Sequence, residues 1–214
     1  MPILLLCLMW ALVPLSWADD MPAARVNGVQ ISVLRLERYF TEYLDAQGRA
    51  VASIRSPSLY KRLREQALDE LIDKELLWQE AQRREVQVSD AALDAYLVQL
   101  EQLFGDPAVF ERRLGEAGFD RASFADYTRH EMAAQQVFAE LTAIKPPSDA
   151  QVEAFYQANR ERFDETQNQS DSALVEREPG LDLARTALVT QLQSEARQAV
   201  RLRLREVAQV QRGG

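Results

Sequence analysis

His130 is the only histidine and Cys7 the only cysteine of the 214 residues. That scarcity limits the available chemistry at once. One Cys and one His exclude a disulfide framework and a Cys-rich zinc site. A Ser–His or Cys–His triad would need His130 as its base, which excludes most hydrolytic triads, since His130 stands in a helical pattern between Arg129 and Glu131, with no Asp or Ser placed beside it in an elbow or metal motif. It reads as a structural side chain at or near the surface. Carboxylates are plentiful, and Asp69/Asp73 and Asp90/Asp94 each lie one helical turn apart. Such a pair on an exposed helix reads as solvated charge rather than an acid/base dyad. No glycine-rich loop follows a strand, and neither a Gly-Lys-Ser/Thr cradle nor a Gly-x-Ser-x-Gly elbow occurs. Nucleotide and acyl chemistry therefore have no seat in the sequence, and no cofactor or metal is expected.

The charge balance points the same way. Thirty-three acidic side chains against 25 basic ones leave a net charge of −8, the opposite of what phosphate backbones attract. A nucleic-acid partner is not expected. Arg185, Arg197, Arg201, Arg203 and Arg205 cluster toward the C-terminus, but Glu195 and Glu206 dilute them, and cations near a helix C-terminus also suit its dipole.

Residues Ile3 to Leu15 form an uninterrupted apolar run, followed by Ser16-Trp17-Ala18 with small residues at −3 and −1 of a signal-peptidase site. Cleavage is expected after Ala18, making 1–18 an export signal. The run is shorter than the roughly 20 residues of a membrane span, although the only positive charge ahead of it is the amino terminus, and an uncleaved anchor is the alternative. Cys7 would leave with the signal. The exported chain would then carry no cysteine, which suits an oxidising compartment.

Eight Gly and eight Pro in the whole chain favour long helices over turn-rich strands. Asn27-Gly28, between two short alternating runs within Ala24–Ser32, predicts a tight hairpin. Ser32 then caps a helix through Leu36, Phe40 and Leu44 that stops by Gly48. A long amphipathic helix follows over Ser58–Glu85, and Val86-Gln87-Val88 breaks it. Ser89-Asp90 caps a third helix reaching Gly105, Asp106-Pro107 opens a short fourth that Gly118 ends, and Asp120 caps a fifth that Pro146-Pro147 terminates. Ser148 and Gln151 have capping-box spacing and open a helix to about Phe163. Residues 164–180 carry five acidic side chains and close on Pro-Gly, which reads as a flexible linker. A helix resumes at Leu181, and Glu206–Gln211 alternates like a terminal strand. The opening hairpin is its evident partner.

The middle helices are rich in large apolar residues. Core is the default for any one of them, but short helices joined by Gly and Asp-Pro turns rarely bury every such face among themselves, so a groove for a partner peptide is the second reading. The candidate contact residues are Tyr96, Leu100, Leu103, Phe104, Phe110, Phe124 and Tyr127, with Phe119 beside them.

Taken in order, Val26-Asn27-Gly28 with Ile31-Ser32, then Ala67 to Leu77 with Glu80-Ala81, then Val86 to Asp90, and finally Ser148-Asp149, Val152, Phe155-Tyr156 and Asn159 to Phe163 resemble the chaperone region of the SurA, PpiD and PrsA group. The resemblance covers roughly 24–163 plus the closing helix and strand. It implies a mainly α, SurA-like chaperone domain with a small β hairpin paired to a C-terminal strand, and a cradle that holds unfolded client chains. In that group a parvulin-type prolyl isomerase is inserted before the final helix. Here only 17 residues separate Phe163 from Leu181, too few for an independent domain. The expected organisation is a signal at 1–18, a chaperone domain at 19–163, an acidic linker at 164–180 in place of the isomerase, and a closing helix and strand at 181–214. The expected role is a periplasmic, non-enzymatic holdase for unfolded or partly folded envelope proteins, with no stable membrane insertion after signal cleavage. The alternatives are a dedicated assembly factor for one partner and a residual isomerase. Exchange of the terminal helix between protomers would permit a homodimer.

Overall fold

The computed structural model describes residues 22–163 and 178–213. The expected export signal, and the linker up to residue 177, lie outside the described residues. The chain divides into two compact units, Met1–Leu71 with Val210–Gly214, and Ile72–Gln209.

In the first unit, β1 (Pro22–Val26) and β2 (Val29–Ser32) pair antiparallel. Asn27 and Gly28 between them both have positive φ, 50° and 87°, which is what a two-residue turn matching strand twist requires. The last strand, β3 (Val210–Arg212), lies antiparallel on the other side of β1, giving the order β2-β1-β3. Val26 faces Val29 on one side and Val210 on the other. The terminal strand pairs with the opening hairpin as expected, but it is shorter, because Glu206 still belongs to the preceding helix.

Ser32 accepts a hydrogen bond from the Arg35 N–H at 3.1 Å and starts α1 (Val33–Asp45). Leu36, Phe40 and Leu44, four residues apart, make its buried stripe. A 3-10 turn over Val51–Ser53, which no sequence signal announced, leads to α2 (Pro57–Arg83), whose first half buries Leu63, Ala67, Leu68 and Leu71. Tyr60 meets Phe40 edge-on at 5.2 Å, and Arg64 donates to Glu37 at 2.6 Å. Asp69 accepts from Arg212 at 2.5 Å.

The second unit holds the rest of α2, then α3 (Asp90–Phe104), α4 (Pro107–Glu116), α5 (Arg121–Leu141), α6 (Asp149–Ala158) and α7 (Glu178–Glu206). Ser89, Asp106, Asp120 and Ser148 cap α3 to α6 with their side chains, the last two in reciprocal capping boxes. Three boundaries depart from expectation. Helix α5 stops at Leu141, five residues before Pro146, where the Thr142 hydroxyl donates back to the Phe138 carbonyl at 2.6 Å. Helix α6 is interrupted after Ala158, where Asn159 leaves helical geometry and its amide donates to the Phe155 carbonyl at 2.8 Å, and residues 160–163 are helical again. Helix α7 begins at Glu178, so Pro179-Gly180 belongs to its first turn, where Pro is tolerated because those N–H groups lack intrahelical partners.

The acidic pairs are not simply solvated charge. Asp73 accepts from Arg205 at 2.5 Å with Arg201 at 3.9 Å, and Asp90 accepts from Arg129 at 2.7 Å. Arg201 also lies over the Phe138 ring, and Arg185 donates to Asp149. Much of the Arg cluster of α7 is thus spent on packing α7 within this unit. Two apolar clusters anchor the unit. One gathers Val152, Tyr156, Phe163 and Ala184 between α6 and α7. The other joins Ala81, Ala133 and Val137, with Trp78, Val86, Val88 and Leu141 against it.

Helix α2 ends beside the second cluster. Glu85 takes a positive φ of 56°, and the Val86 N–H returns to the Ala81 carbonyl at 3.0 Å, closing a Schellman turn without glycine. One turn earlier, Glu80 is only 8% exposed and accepts from Arg83 at 2.7 and 2.8 Å and from Arg84 at 2.7 Å. These bonds, Arg83's first, overcome burial and hold its pKa at about 2 against an ordinary 4.5. A carboxylate so lowered stabilises the fold fully above pH 4.5 and loses that contribution as pH falls toward 2. The shift sets a ceiling of about 3 kcal/mol, which solvent around the exposed Arg83 reduces. Glu80→Gln is expected to cost about 1–2 kcal/mol at pH 7. The gap from the parent should close as pH approaches 2, measured by denaturant unfolding across that range. A gap that stays constant with pH would contradict this assignment.

Candidate functional site

Two glycine turns fold α3, α4 and α5 together. Gly105 at φ 72° ends α3, and Asp106-Pro107 immediately starts α4. Gly118 at φ 75° lets the Phe119 N–H reach the Leu114 carbonyl at 2.8 Å, after which Asp120 caps α5. Positive φ at these two positions is what glycine permits without strain.

Five rings then tie the three helices. Phe110 of α4 lies 5.4 Å from Phe104 and 5.9 Å from Phe124, Phe124 lies 5.7 Å from Phe119, and Phe119 lies 5.3 Å from Tyr127. The Phe110–Phe124 and Phe119–Phe124 pairs are edge-on, which their quadrupoles favour. Arg121 covers Phe110 at 5.7 Å while donating to Glu101 of α3 at 3.1 Å and to Glu111 of α4. One guanidinium thus bridges all three helices.

The seven candidate residues separate into support and surface. Phe110 is 3% exposed and serves as the central support of the ring cluster. Leu100, Phe124 and Tyr127 are half-buried. Tyr96, Phe104 and Leu103 are exposed at 44%, 39% and 82%. Tyr96, Leu100 and Leu103 fall at i, i+4 and i+7, so α3 presents them on one face. Val98, also exposed, was not singled out by sequence reasoning.

A second set of residues was also missed. Beside the Val86–Ser89 connection lie a cavity of about 470 Å³ lined by Trp78, Gln82, Val86, Gln87, Arg129 and Ala133, and one of about 390 Å³ that includes Tyr96, Met132, Gln135 and Gln136. His130 is exposed and stacks on Trp78, with 4.0 Å between ring centroids and 23° between planes. Its role is packing against an aromatic wall, and 52 positions of sequence separate the two rings. The Val-Gln-Val interruption between two helices was the one signal that could have drawn attention there. A further cavity of about 610 Å³ lies along α7, floored by Phe155, Phe163, Leu183 and Ala187, with Arg162 and Glu195 at its edges.

Among the described residues no three His, Cys, Asp or Glu side chains gather in a group able to hold a metal ion, and no helix is long and apolar enough to cross a membrane. What the α3–α5 region offers is apolar contact area on a braced support.

Comparison with curated proteins gives no match. Among solved structures, one from Campylobacter jejuni, from work on the virulence factor PEB4 and the periplasmic protein Cj1289 as two structurally related SurA-like chaperones, aligns with a TM-score of 0.54 at 12% identity, covering 90% of this chain and 99% of that one. At that identity the likeness is one of fold, and it agrees with the mainly helical architecture and small antiparallel sheet described above. The family model described as the SurA-like N-terminal domain matches residues 3–138, well over half of the sequence. The chain therefore belongs to the family of SurA-like N-terminal domains.

Proposed function

We propose that this protein is an exported chaperone that holds non-native envelope proteins by reversible apolar contact, without covalent chemistry or prolyl isomerisation. Family membership supports a chaperone-type role in general. The observation that carries the holding role is the apolar surface of α3, on which Tyr96 and Leu103 share one exposed face and Phe104, resting on the buried Phe110, is exposed beside it. Burying client Leu, Val or aromatic side chains there yields about 25 cal/mol per Å² of apolar area before ordering costs are subtracted. Individual contacts of that kind are weak and indifferent to exact partner shape, which suits clients without a fixed fold. The net charge of −8 favours solubility for a protein with an exposed apolar face. The site of action on this reading is the periplasm, after loss of residues 1–18.

The test is suppression of aggregation of an unfolded outer-membrane protein by the chain from Asp19, with suppression expected at equimolar dose. Tyr96→Ser/Leu103→Ser is expected to weaken suppression at least about fivefold, while changing unfolding free energy by less than about 1 kcal/mol, as exposed positions do. Phe110→Ala is expected to cost about 3 kcal/mol or more, the usual range for emptying a buried aromatic site. Suppression that survives the double substitution would move the holding surface elsewhere, and none by the parent chain would remove the proposal.

The isomerase alternative is met by a protease-coupled assay on a proline peptide. The chain is expected to leave the uncatalysed rate of cis/trans exchange, tens to hundreds of seconds, unchanged. Clear acceleration would contradict the non-enzymatic reading.

A further inference from the structure

We infer that the groove beside the Val86–Ser89 connection binds the main chain of an extended polypeptide, reading its peptide groups rather than its side chains. This deepens the holding role proposed above and rests on it. The two cavities there share Gln87 and Val88, so they flank one short stretch of chain. Each is of a size that takes ligand groups, within roughly 300–1,000 Å³.

The lining chemistry narrows the occupant. Its charged members are few. Arg129 is already engaged with the Val88 carbonyl and Asp90, both at 2.7 Å, which leaves Glu85 as the remaining charge. Nothing there would select a phosphate or another anion. The polar rim is instead made of primary amides, Gln82, Gln87, Gln135 and Gln136. An amide side chain donates and accepts at once, which is the pairing a peptide group needs. The walls between these amides are apolar, supplied by Trp78, Val86, Val88 and Met132.

The connection itself adds the second half of the argument. Val86 and Val88 are half-buried against Ala81, Ala133 and Val137, while Gln87 between them is exposed. That is the in-out-in alternation of a strand edge. The Val86 N–H and the Val88 carbonyl are used within the chain, by Ala81 and Arg129. Gln87 has no hydrogen bond to its backbone N–H or carbonyl from the described residues. One residue with both groups available is the unit that pairs with one residue of an added antiparallel strand. The rim amides line the same two cavities as Gln87, so they are the side chains available to pair with further peptide groups of that strand. Recognition of this kind tolerates many sequences, since every residue except proline carries the same donor and acceptor.

The test uses the chain from Asp19, in which Trp78 is the only tryptophan and stands in the groove wall. A dye-labelled, uncharged peptide of alternating apolar residues is titrated, with anisotropy reporting binding anywhere and Trp78 emission reporting the groove. Two further peptides carry the same side chains but are N-methylated on one or the other alternate set of backbone nitrogens. The parent peptide should bind and shift Trp78 emission. One N-methylated set should bind at least about tenfold more weakly, the loss expected for one or two backbone hydrogen bonds, and the other set should match the parent. Gln82→Leu and Gln135→Leu should each weaken binding severalfold. Equal binding by all three peptides, or anisotropy binding with Trp78 emission unmoved, would overturn the main-chain groove and leave the holding role intact. No binding by anisotropy, together with no suppression of aggregation, would remove both.

Discussion

Burial of the Phe110 ring is the constraint on which the α3–α5 region depends. Helix α4 has ten residues, below the length at which an isolated helix is stable in water. It persists because Phe110 and Leu114 are buried, and Phe110 packs between Phe104 and Phe124 of the flanking helices. Once that ring is seated, the directions of α3 and α5 are fixed by short turns at Gly105 and Gly118, and Arg121 of α5 ties the acidic edges of α3 and α4. Exposure of Tyr96, Leu103 and Phe104 follows from this arrangement. Leu93 and, eleven positions on, Phe104 lie on nearly the same side of α3, Leu93 in the core and Phe104 against Phe110, while Tyr96 and Leu103 lie to one side of that line and stay exposed.

A similar economy governs the chain ends. Strand β3 is three residues long, too short to hold itself in place by ladder bonds alone. Its attachment is reinforced by the Arg212–Asp69 pair and by the Gly213 N–H, which donates to the Ala23 carbonyl at 2.9 Å. The exposed ion pair is worth little alone, but it acts on a strand that is already hydrogen-bonded to β1, so the entropy of ordering Arg212 is partly spent beforehand. The carboxylates one turn apart on α2 that looked like free surface charge are fastenings, one for the last strand and one for α7.

Local chemistry was readable from the sequence and distant pairing was not. Asn27-Gly28, the capping residues Ser32, Ser89, Asp106, Asp120 and Ser148, and the 3.6-residue spacing of α1 and α2 act within a few positions, so residue type alone reveals them. The end of α5 and the break after Ala158 were missed because they fall inside stretches whose apolar pattern continues; Thr142 and Asn159 turn back there to Phe138 and Phe155, but Thr41, Thr186 and Thr190 make the same kind of bond without ending a helix. The Asp69–Arg212, Asp73–Arg205 and Trp78–His130 partnerships join residues 52 to 143 positions apart, and nothing in either partner's local sequence names the other. Among the candidate contact residues the types were right and the division of labour was hidden. Phe110 and Leu103 are both large apolar residues in short helices, and only the fold shows that one is buried while the other is almost wholly exposed.

The proposed holding face and the proposed main-chain groove differ in the physics by which they would grip a guest, and that difference explains why one protein would carry both. Apolar burial scales with area and falls away when a client offers few large side chains. Backbone hydrogen bonds are indifferent to side-chain identity, but net gains of about 1 kcal/mol each make them weak alone in water. Tyr96 belongs to both surfaces, since it stands on the exposed face of α3 and also lines the cavity beside Gln87. A client strand paired at Gln87 would therefore have its next side chains delivered toward α3 at high effective concentration, so that each weak contact raises the occupancy of the other. Folding of the client would withdraw both grips together, because native pairing consumes its backbone donors as native packing consumes its apolar side chains. Release on that scheme needs no nucleotide and no covalent step, only competition from the client's own fold.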